Sequence, residues 1–393
     1  FLFFSCTLQT RITTAPKPSP PFIDRQLAGI QPAGEQSAGA RPEENPLYYL
    51  TLIAAGDNLY HDPMIRPPPP GKSYDFTANY SEIMPYIQGA DLAFINQETV
   101  LGGAEFGFSG YPRFNSPREL GAAVAAAGFD VINHANNHVM DKGEMAVFAT
   151  MDYWDTVPGI RYLGIHRSEE ERRRPVIVER NNIRTGFLSY TYGTNGLPLP
   201  RGKPWLASLA DEKTMAEEMN ALRPLCDFLV VSMHWGNEYE HEPNGTQKKA
   251  ARFLAEHGAD LILGHHPHVI QPVEIIERSG GQTLCFYSLG NFLSAQIPSP
   301  RLLGALAYVR IKKENGVAAV DQSGIIPVVT HYEEGFINFR VYPLSEYSND
   351  LAKRHRSANE ISISYFTGLA KRIFPSEILT ENPFAKNNME NKD

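Results

Sequence analysis

Apolar and polar positions along this chain fall into a recurring phrase: a short apolar run closes on a polar residue, and a stretch of helical period follows. Leu50-Thr51-Leu52-Ile53-Ala54-Ala55 ends at Gly56-Asp57. That is the pattern of a strand buried on both faces, delivering a polar side chain at its carboxyl end. Residues 91–96 deliver Glu98 in the same way, and residues 129–132 deliver the run from Asn133 to His138. Residues 228–233 lead to His234, and residues 260–263 lead to His265, His266 and His268. Residues 284–288 run into Leu289-Gly290-Asn291-Phe292.

Helical text separates these strands. Ser116-Pro117 opens an alanine-rich stretch that stops at Gly128; proline suits a first helical turn and glycine a C-terminal cap. Residues 143–155, 211–223 and 246–257 also carry a helical pattern. The alternation predicts an α/β domain with its site at strand ends. After Cys285 the text turns strand-rich, and residues 306–311 and 337–341 read as sheet edges or as a second sheet. The expected domain spans 47–345, with one helix over 349–374 and a frayed end over 375–393 completing a tail from 346. The loop 195–202 reads as a surface loop beside the site.

Residues 1–46 read differently. Pro16-Lys17-Pro18-Ser19-Pro20-Pro21 typifies a segment without periodicity, too poor in apolar surface to offset its ordering entropy, hence an expected disordered spacer. The apolar start Phe1-Leu2-Phe3-Phe4-Ser5-Cys6 reads either as the trailing end of an export or anchor segment, with Cys6 open to lipidation, or as a frayed end. No run of about 18 apolar residues occurs in this sequence.

Charge narrows the partners. Thirty-six Lys and Arg against 44 Asp and Glu leave a net −8, without the basic footprint of a general nucleic-acid binder. Three cysteines, Cys6, Cys226 and Cys285, make no disulfide framework and no C-x-x-C pair. The histidines carry the chemistry. His61, His134, His138, His234, His241, His265, His266 and His268 fall in or beside the strand ends. With Asp57, Glu98, Asn136 and Asn137 they form a nitrogen-and-oxygen ligand set that suits zinc, manganese or iron. Taken singly, Asp57 fits a turn former, Glu98 half of an ion pair, His234 a satisfied core histidine, and Asn136-Asn137-His138 a polar turn. Gly264-His265-His266-Pro267-His268 is harder to read as packing, because imidazoles at i and i+2 beyond a buried strand share one face. Five strand ends each presenting a ligand type point to a metal site.

Together these segments resemble the CapA family of poly-γ-glutamate (capsule) synthesis proteins, whose domain is similar to calcineurin-like metallophosphoesterases. The matching text is Ala55-Gly56-Asp57-Asn58-Leu59, Ala90-Asp91-Leu92-Ala93-Phe94-Ile95-Asn96-Gln97-Glu98-Thr99, and Asn133-His134-Ala135-Asn136-Asn137-His138 with Asp141-Lys142-Gly143. It continues through Ser232-Met233-His234-Trp235-Gly236 with Glu238-Tyr239, the run 258–274, and Tyr287-Ser288-Leu289-Gly290-Asn291-Phe292.

The resemblance implies an α/β/β/α sandwich of two sheets flanked by helices. It implies metal ligands Asp57, Glu98, Asn137, His234, His266 and His268, with Glu98 standing where a bridging aspartate is usual. His138 would contact the leaving oxygen as the catalytic residue, and His265, Asn136 and Asn291 would touch substrate. The family's first-strand Asp-x-His has Leu59 at its histidine position, with His61 as an alternative. That leaves either one divalent metal or a weakly held pair. The implied role is synthesis or export of poly-γ-glutamate, beside other capsule-synthesis membrane proteins, at the extracytoplasmic face of a membrane. Two further readings stay open: a free-standing metal-dependent phosphoesterase or amide hydrolase acting on a phosphoester or other anionic substrate, and an inert polymer-binding subunit.

Overall fold

A computed structural model describes residues 46–384. The expectations for the spacer, the apolar start and the last nine residues lie outside that range. Fourteen strands follow in order: β1 (Tyr48–Asn58), β2 (Leu92–Gln97), β3 (Val131–Asn133), β4 (Arg161–Leu163), β5 (Val176–Arg180), β6 (Ile183–Thr191) and β7 (Phe228–His234), then β8 (Leu261–His265), β9 (Ile270–Arg278), β10 (Gly281–Leu289), β11 (Asn291–Leu293), β12 (Leu303–Glu314), β13 (Val317–Glu333) and β14 (Ile337–Pro343).

They make two mixed sheets flanked by helices. The first has the order β14-β13-β12-β1-β2-β3-β4, with β11 paired to the end of β1, and the second β5-β6-β7-β8-β10-β9. Strands β1 to β4 run parallel, as do β6, β7, β8 and β10. Each sheet therefore gathers its carboxyl ends along one edge.

Burial explains the strand text. Every residue of β2 and β7 is buried. In β7 the two-residue period sorts side chains between layers: Val230 joins Leu52, Phe94, Phe187, Leu263 and Phe286 in the core between the sheets, while Leu229 and Val231 join Met215, Met219, Leu222 and Leu254 from the covering helices. Phe94 and Phe187 stack across the sheets, ring centres 6.4 Å apart.

Those helices, Glu212–Leu222 and Gly245–Glu256, start on side-chain caps. Asp211 accepts from Thr214 N at 2.9 Å, and Asn244 and Gln247 form a reciprocal capping box. Helix Glu119–Ala127 ends at Gly128 in the left-handed region, φ 108°, as its sequence anticipates.

Two expectations change. Of the two readings for the strands after Cys285, the second sheet is not found: β12, β13 and β14 extend the first sheet antiparallel from β1, with residues 337–341 on its edge strand β14 and 306–311 inside it on β12. The single terminal helix is two, Asn349–Arg354 and Ile363–Ile373. The break is made by His355, whose Nε2 lies 3.2 Å from Thr330 O and whose Nδ1 accepts from Ser357 N at 2.9 Å. Those bonds pin the chain in an extended conformation against β13. The tail stays ordered beyond it, with Thr380 N donating to Ile325 O at 2.8 Å. Among the described residues no helix is long and apolar enough to cross a membrane.

Candidate metal centre

The strand ends of both sheets meet at one buried cluster. Asp57 is the next-to-last residue of β1, Glu98 follows β2, and Asn137 sits in the loop after β3. His234 closes β7, while His265, His266 and His268 end and follow β8. Asp57, Glu98, His234 and His265 are wholly buried, and Asn137, His266 and His268 nearly so. Glycine sets up the approach at two points. A Cβ on Gly56 would lie 2.0 Å from Gly290 O, and one on Gly264 would lie 2.0 Å from Tyr287 O. Only a residue without a side chain lets each strand pass there, one position before Asp57 and His265. Beyond β8 the backbone is strained: His266 has φ 98° and His268 φ 56°, a region costly for residues with a Cβ. The strain turns both imidazoles toward the carboxylates.

Glu98 lies at the crossing of two groups. Its carboxylate forms one trio with His234 and His266 and another with Asp57 and His268, the ligating atoms of each lying within 4.8 Å of one another. His234 Nε2 is 3.4 Å from Glu98 Oε1 and 2.8 Å from Asn137 Oδ1. His268 places Nε2 3.8 Å from Glu98 Oε1 and Nδ1 3.0 Å from Asp57 Oδ2. Asp57 also accepts from Asn96 Nδ2 at 2.8 Å and from His266 N at 3.2 Å. A third trio joins His266 and His268 to Glu238 at the exposed mouth.

Electrostatics at this cluster are unbalanced among the protein's own groups. Both oxygens of Glu98, His234 Nδ1, His266 Nδ1 and both ring nitrogens of His265 are buried without hydrogen-bond partners. Burial, and then the Asp57 charge, push Glu98 up to about 8. Burial opposes the charge on Asp57, but the His265 and His268 imidazoles outweigh it and hold its carboxyl well below the usual range. Burial also opposes a charge on His268, yet Glu98 and Asp57 raise it to about 9. His266 is driven down to about 2 by burial and its imidazole neighbours, so it stays neutral. Buried polar atoms without partners are costly. A divalent cation fits: the donors are imidazole nitrogens, carboxylate oxygens and one amide oxygen, with no thiolate.

His138 stands beside this cluster and is in none of the three trios. Its Nδ1 donates to Asp141 Oδ2 at 2.8 Å, and that same oxygen accepts from Phe114 N at 2.6 Å. Phe114 packs edge-on to the imidazole at 4.6 Å. Above the centre Tyr192, half exposed, lies 4.8 Å from the His266 ring and forms a rim.

The three residues expected to touch substrate also make contacts within the chain. Asn136 spends both ends of its amide on the chain, accepting from His138 N and donating to Gln97 O, each at 3.0 Å. It braces the loop that carries His138. His265 is buried beneath Asp57, its ring stacked 5.8 Å from Phe94. Asn291 pairs in register with Asp57 and donates to Gln296 Oε1 at 3.1 Å and Arg301 O at 3.0 Å; it supports the neighbouring loop. His61 stands outside all three trios, with Nδ1 3.1 Å from Leu59 O. Burial lowers its pKa to about 4, with the His268 charge adding to the effect.

Sequence reasoning assigned no role to Glu238, Asp141, Asn96 or Asn195. Glu238 and Asp141 stand inside motif text, so their position was a signal. Asn195, whose Oδ1 accepts from Asn137 Nδ2 at 3.1 Å, comes from the 195–202 loop, 58 residues away; that loop was expected beside the site, but no residue in it was singled out.

The family model described as "Bacterial capsule synthesis protein PGA_cap" matches residues 51–296. The PGA biosynthesis protein CapA of Bacillus subtilis (strain 168) is 30% identical over 205 residues, covering 52% of this chain and 51% of that protein. The capsule biosynthesis protein CapA of Bacillus anthracis is 30% identical over 211 residues, covering 53% and 50%. The chain thus spans about half the length of these curated relatives. Among solved structures, a phosphatase from Mycoplasma pneumoniae overlaps at TM-score 0.46 and 13% identity, covering 72% of this chain and 95% of that one. A calcineurin-like phosphoesterase from Bacillus subtilis overlaps at TM-score 0.44 and 13% identity, covering 82% and 100%.

Proposed function

The chain belongs to the PGA_cap family of bacterial capsule synthesis proteins, and we propose that it serves poly-γ-glutamate synthesis or export through a hydrolytic divalent-metal centre. The observation that carries this reading is Glu98, a buried carboxylate with no hydrogen-bond partner that belongs to two ligand trios at once. A carboxylate so placed is costly without cations beside it and well suited to lie between two. Asp57 and His268 would hold one position; His234, His266 and Asn137 would hold the other. Zinc, manganese and iron all suit these donors.

A divalent ion held there supplies Lewis acidity and lowers the pKa of its water. The chain's own residues do the rest. Asp141 accepts the Nδ1–H of His138 and so supports the imidazolium form, whose second proton, on Nε2, is the one given to the leaving group. In cleavage of a γ-glutamyl amide, the C–N bond breaks, the water's oxygen joins the carbonyl carbon keeping one hydrogen, the Nε2 proton goes to the departing amine, and the water's other proton restores Nε2. Tyr192 covers the His234 and His266 side of the centre, and Asn195 braces Asn137 from the opposite loop. We place the protein at the outer face of the cell membrane, beside the membrane components of capsule synthesis.

Elemental analysis of purified protein, paired with hydrolysis assays on γ-glutamyl oligomers and on phosphoesters, tests the reading. Bound divalent metal and cleavage of γ-glutamyl oligomers are expected. Cleavage of phosphoesters alone would make it a phosphoesterase, and metal-free protein that still binds polymer would make it an inert subunit.

A further inference from the structure

Outside the ligand cluster, the rim carries cations with no acidic partner. Arg301 follows β11 in a short helical turn whose Leu302 is buried in the core. Its backbone carbonyl accepts from Asn291, the residue in register with Asp57. Its guanidinium carbon lies over the Tyr239 ring, 3.3 Å from the ring centre, and that ring sits 6.1 Å from the His268 imidazole. Tyr239 is itself fixed, its N–H donating to Pro267 O at 2.7 Å.

A guanidinium stacked in this way keeps its N–H edges free. Among the described residues Arg301 makes no ion pair and no side-chain hydrogen bond. A stacked fork with unused donors is pre-organised for bidentate capture of an oxyanion.

On the His138 side a cleft of about 380 Å³ is lined by Arg113, Asp141, Lys142, Leu197 and Pro198, among others. Asp141 is committed to His138 and Phe114. Arg113 is exposed and Lys142 half-buried, and neither forms an ion pair among the described residues. These free cations stand beside the centre of a chain whose net charge is −8.

We propose that Arg301, seated on Tyr239, and the Arg113–Lys142 cleft are two anion-binding points that hold a chain bearing repeated negative charges across the metal centre. The proposal rests on the hydrolytic reading above and deepens it. A ligand with a single anionic group would need one of these points; a polyanion engages both. A polycarboxylate and a polyphosphate share the required chemistry.

The test is binding of a fluorescent γ-glutamyl oligomer, and separately of inorganic polyphosphate, to the metal-loaded full chain. Wild type is compared with R301Q, with R113Q/K142Q, and with the control K312Q. Lys312 pairs in register with Tyr49 at the far end of β1. Metal content and thermal unfolding confirm that each variant is folded and loaded. R301Q and R113Q/K142Q should each weaken binding of the γ-glutamyl oligomer by about tenfold or more and flatten its salt dependence, while K312Q binds as wild type. The same losses with polyphosphate in place of the oligomer would keep the two points and make phosphate the preferred charge. Wild-type affinity in R301Q and R113Q/K142Q, or equal weakening in K312Q, overturns the proposal while leaving the hydrolytic reading intact. Loaded wild type that binds neither polymer overturns both.

Discussion

Among the described residues two histidine clusters lie buried, and one of them brings together donors that could hold an ion. At the strand ends, His234, His266 and His268 surround Glu98, whose oxygens have no hydrogen-bond partner. Near the carboxyl terminus, His331 and His355 meet with ring centres 5.4 Å apart. There His355 has both nitrogens bonded to backbone, and His331 Nδ1 lies 2.9 Å from the Tyr347 hydroxyl. One nitrogen, His331 Nε2, is left over, 3.7 Å from Glu333. Among the described residues no trio of ligand types includes this second cluster. Burying histidine therefore does not make a site. What separates the two is unmet polarity converging on a shared carboxylate, against polarity satisfied by the fold.

The sharpest way to break this contrast is Glu98→Gln. With Glu98 common to two trios, metal affinity should fall by more than about 100-fold, beyond the range typical of supporting residues, and hydrolysis should drop to background. The metal-free variant should be at least as stable as metal-free wild type, since an unpartnered buried carboxylate is gone. Elemental analysis and thermal unfolding read both, and retained metal would dissolve the distinction between the clusters.

His138→Ala comes next. Its imidazole is held by Asp141 and lies outside the trios, so metal content should persist while hydrolysis falls by about 10²- to 10⁴-fold. Loss of metal would show that the roles of Asn137 and His138 are reversed.

A smaller effect follows from protons competing with metal. With Glu98 raised to about 8 and His268 to about 9, the pair retains at least one proton at neutral pH that a cation must displace. Affinity should then rise from pH 7 to 9, by about tenfold per unit for each proton released. Chelator competition at three pH values measures the slope, and a flat profile would refute the proton count.

The second cluster should answer in stability alone. His355→Ala should cost about 1–3 kcal/mol in urea unfolding, as buried partners lose their hydrogen bonds, with metal content unchanged. Burial holds His331 and His355 down at about 4, below the ordinary histidine value. The unfolded chain therefore protonates first on acidification. The stability these residues contribute is full above about pH 6.5 and is lost as pH falls toward 4. A native state insensitive to acid over that window would count against the placement of the two rings.

Much of this was legible along the chain. Apolar runs closing on Asp57, Glu98, His234 and His265 mark strands buried on both faces, and that pattern is local. The helix boundaries at Asp211 and Gly128 are local too, since caps act within one turn. The hairpin of β5 and β6 was not read, although Asn181 and Asn182, with φ 49° and 59°, supply the left-handed turn that favours such residues. Its strands mix buried and exposed positions, so the apolar signal is weaker there than in β2 or β7.

What sequence alone determined is the set of ligand types and their delivery at strand ends, because periodicity and residue chemistry are properties of neighbours. Which of those residues come together was decided only by tertiary structure. Two sheets had to align their carboxyl edges for Glu98 and Asp57 of one to meet His234, His266 and His268 of the other. The same is true of Asn136, His265 and Asn291, whose bracing contacts and burial depend on the whole fold. It holds also for Arg301, a lone arginine in a loop until the fold sets it on Tyr239. Coupling between distant positions depends on packing of the whole core, and no local pattern encodes it.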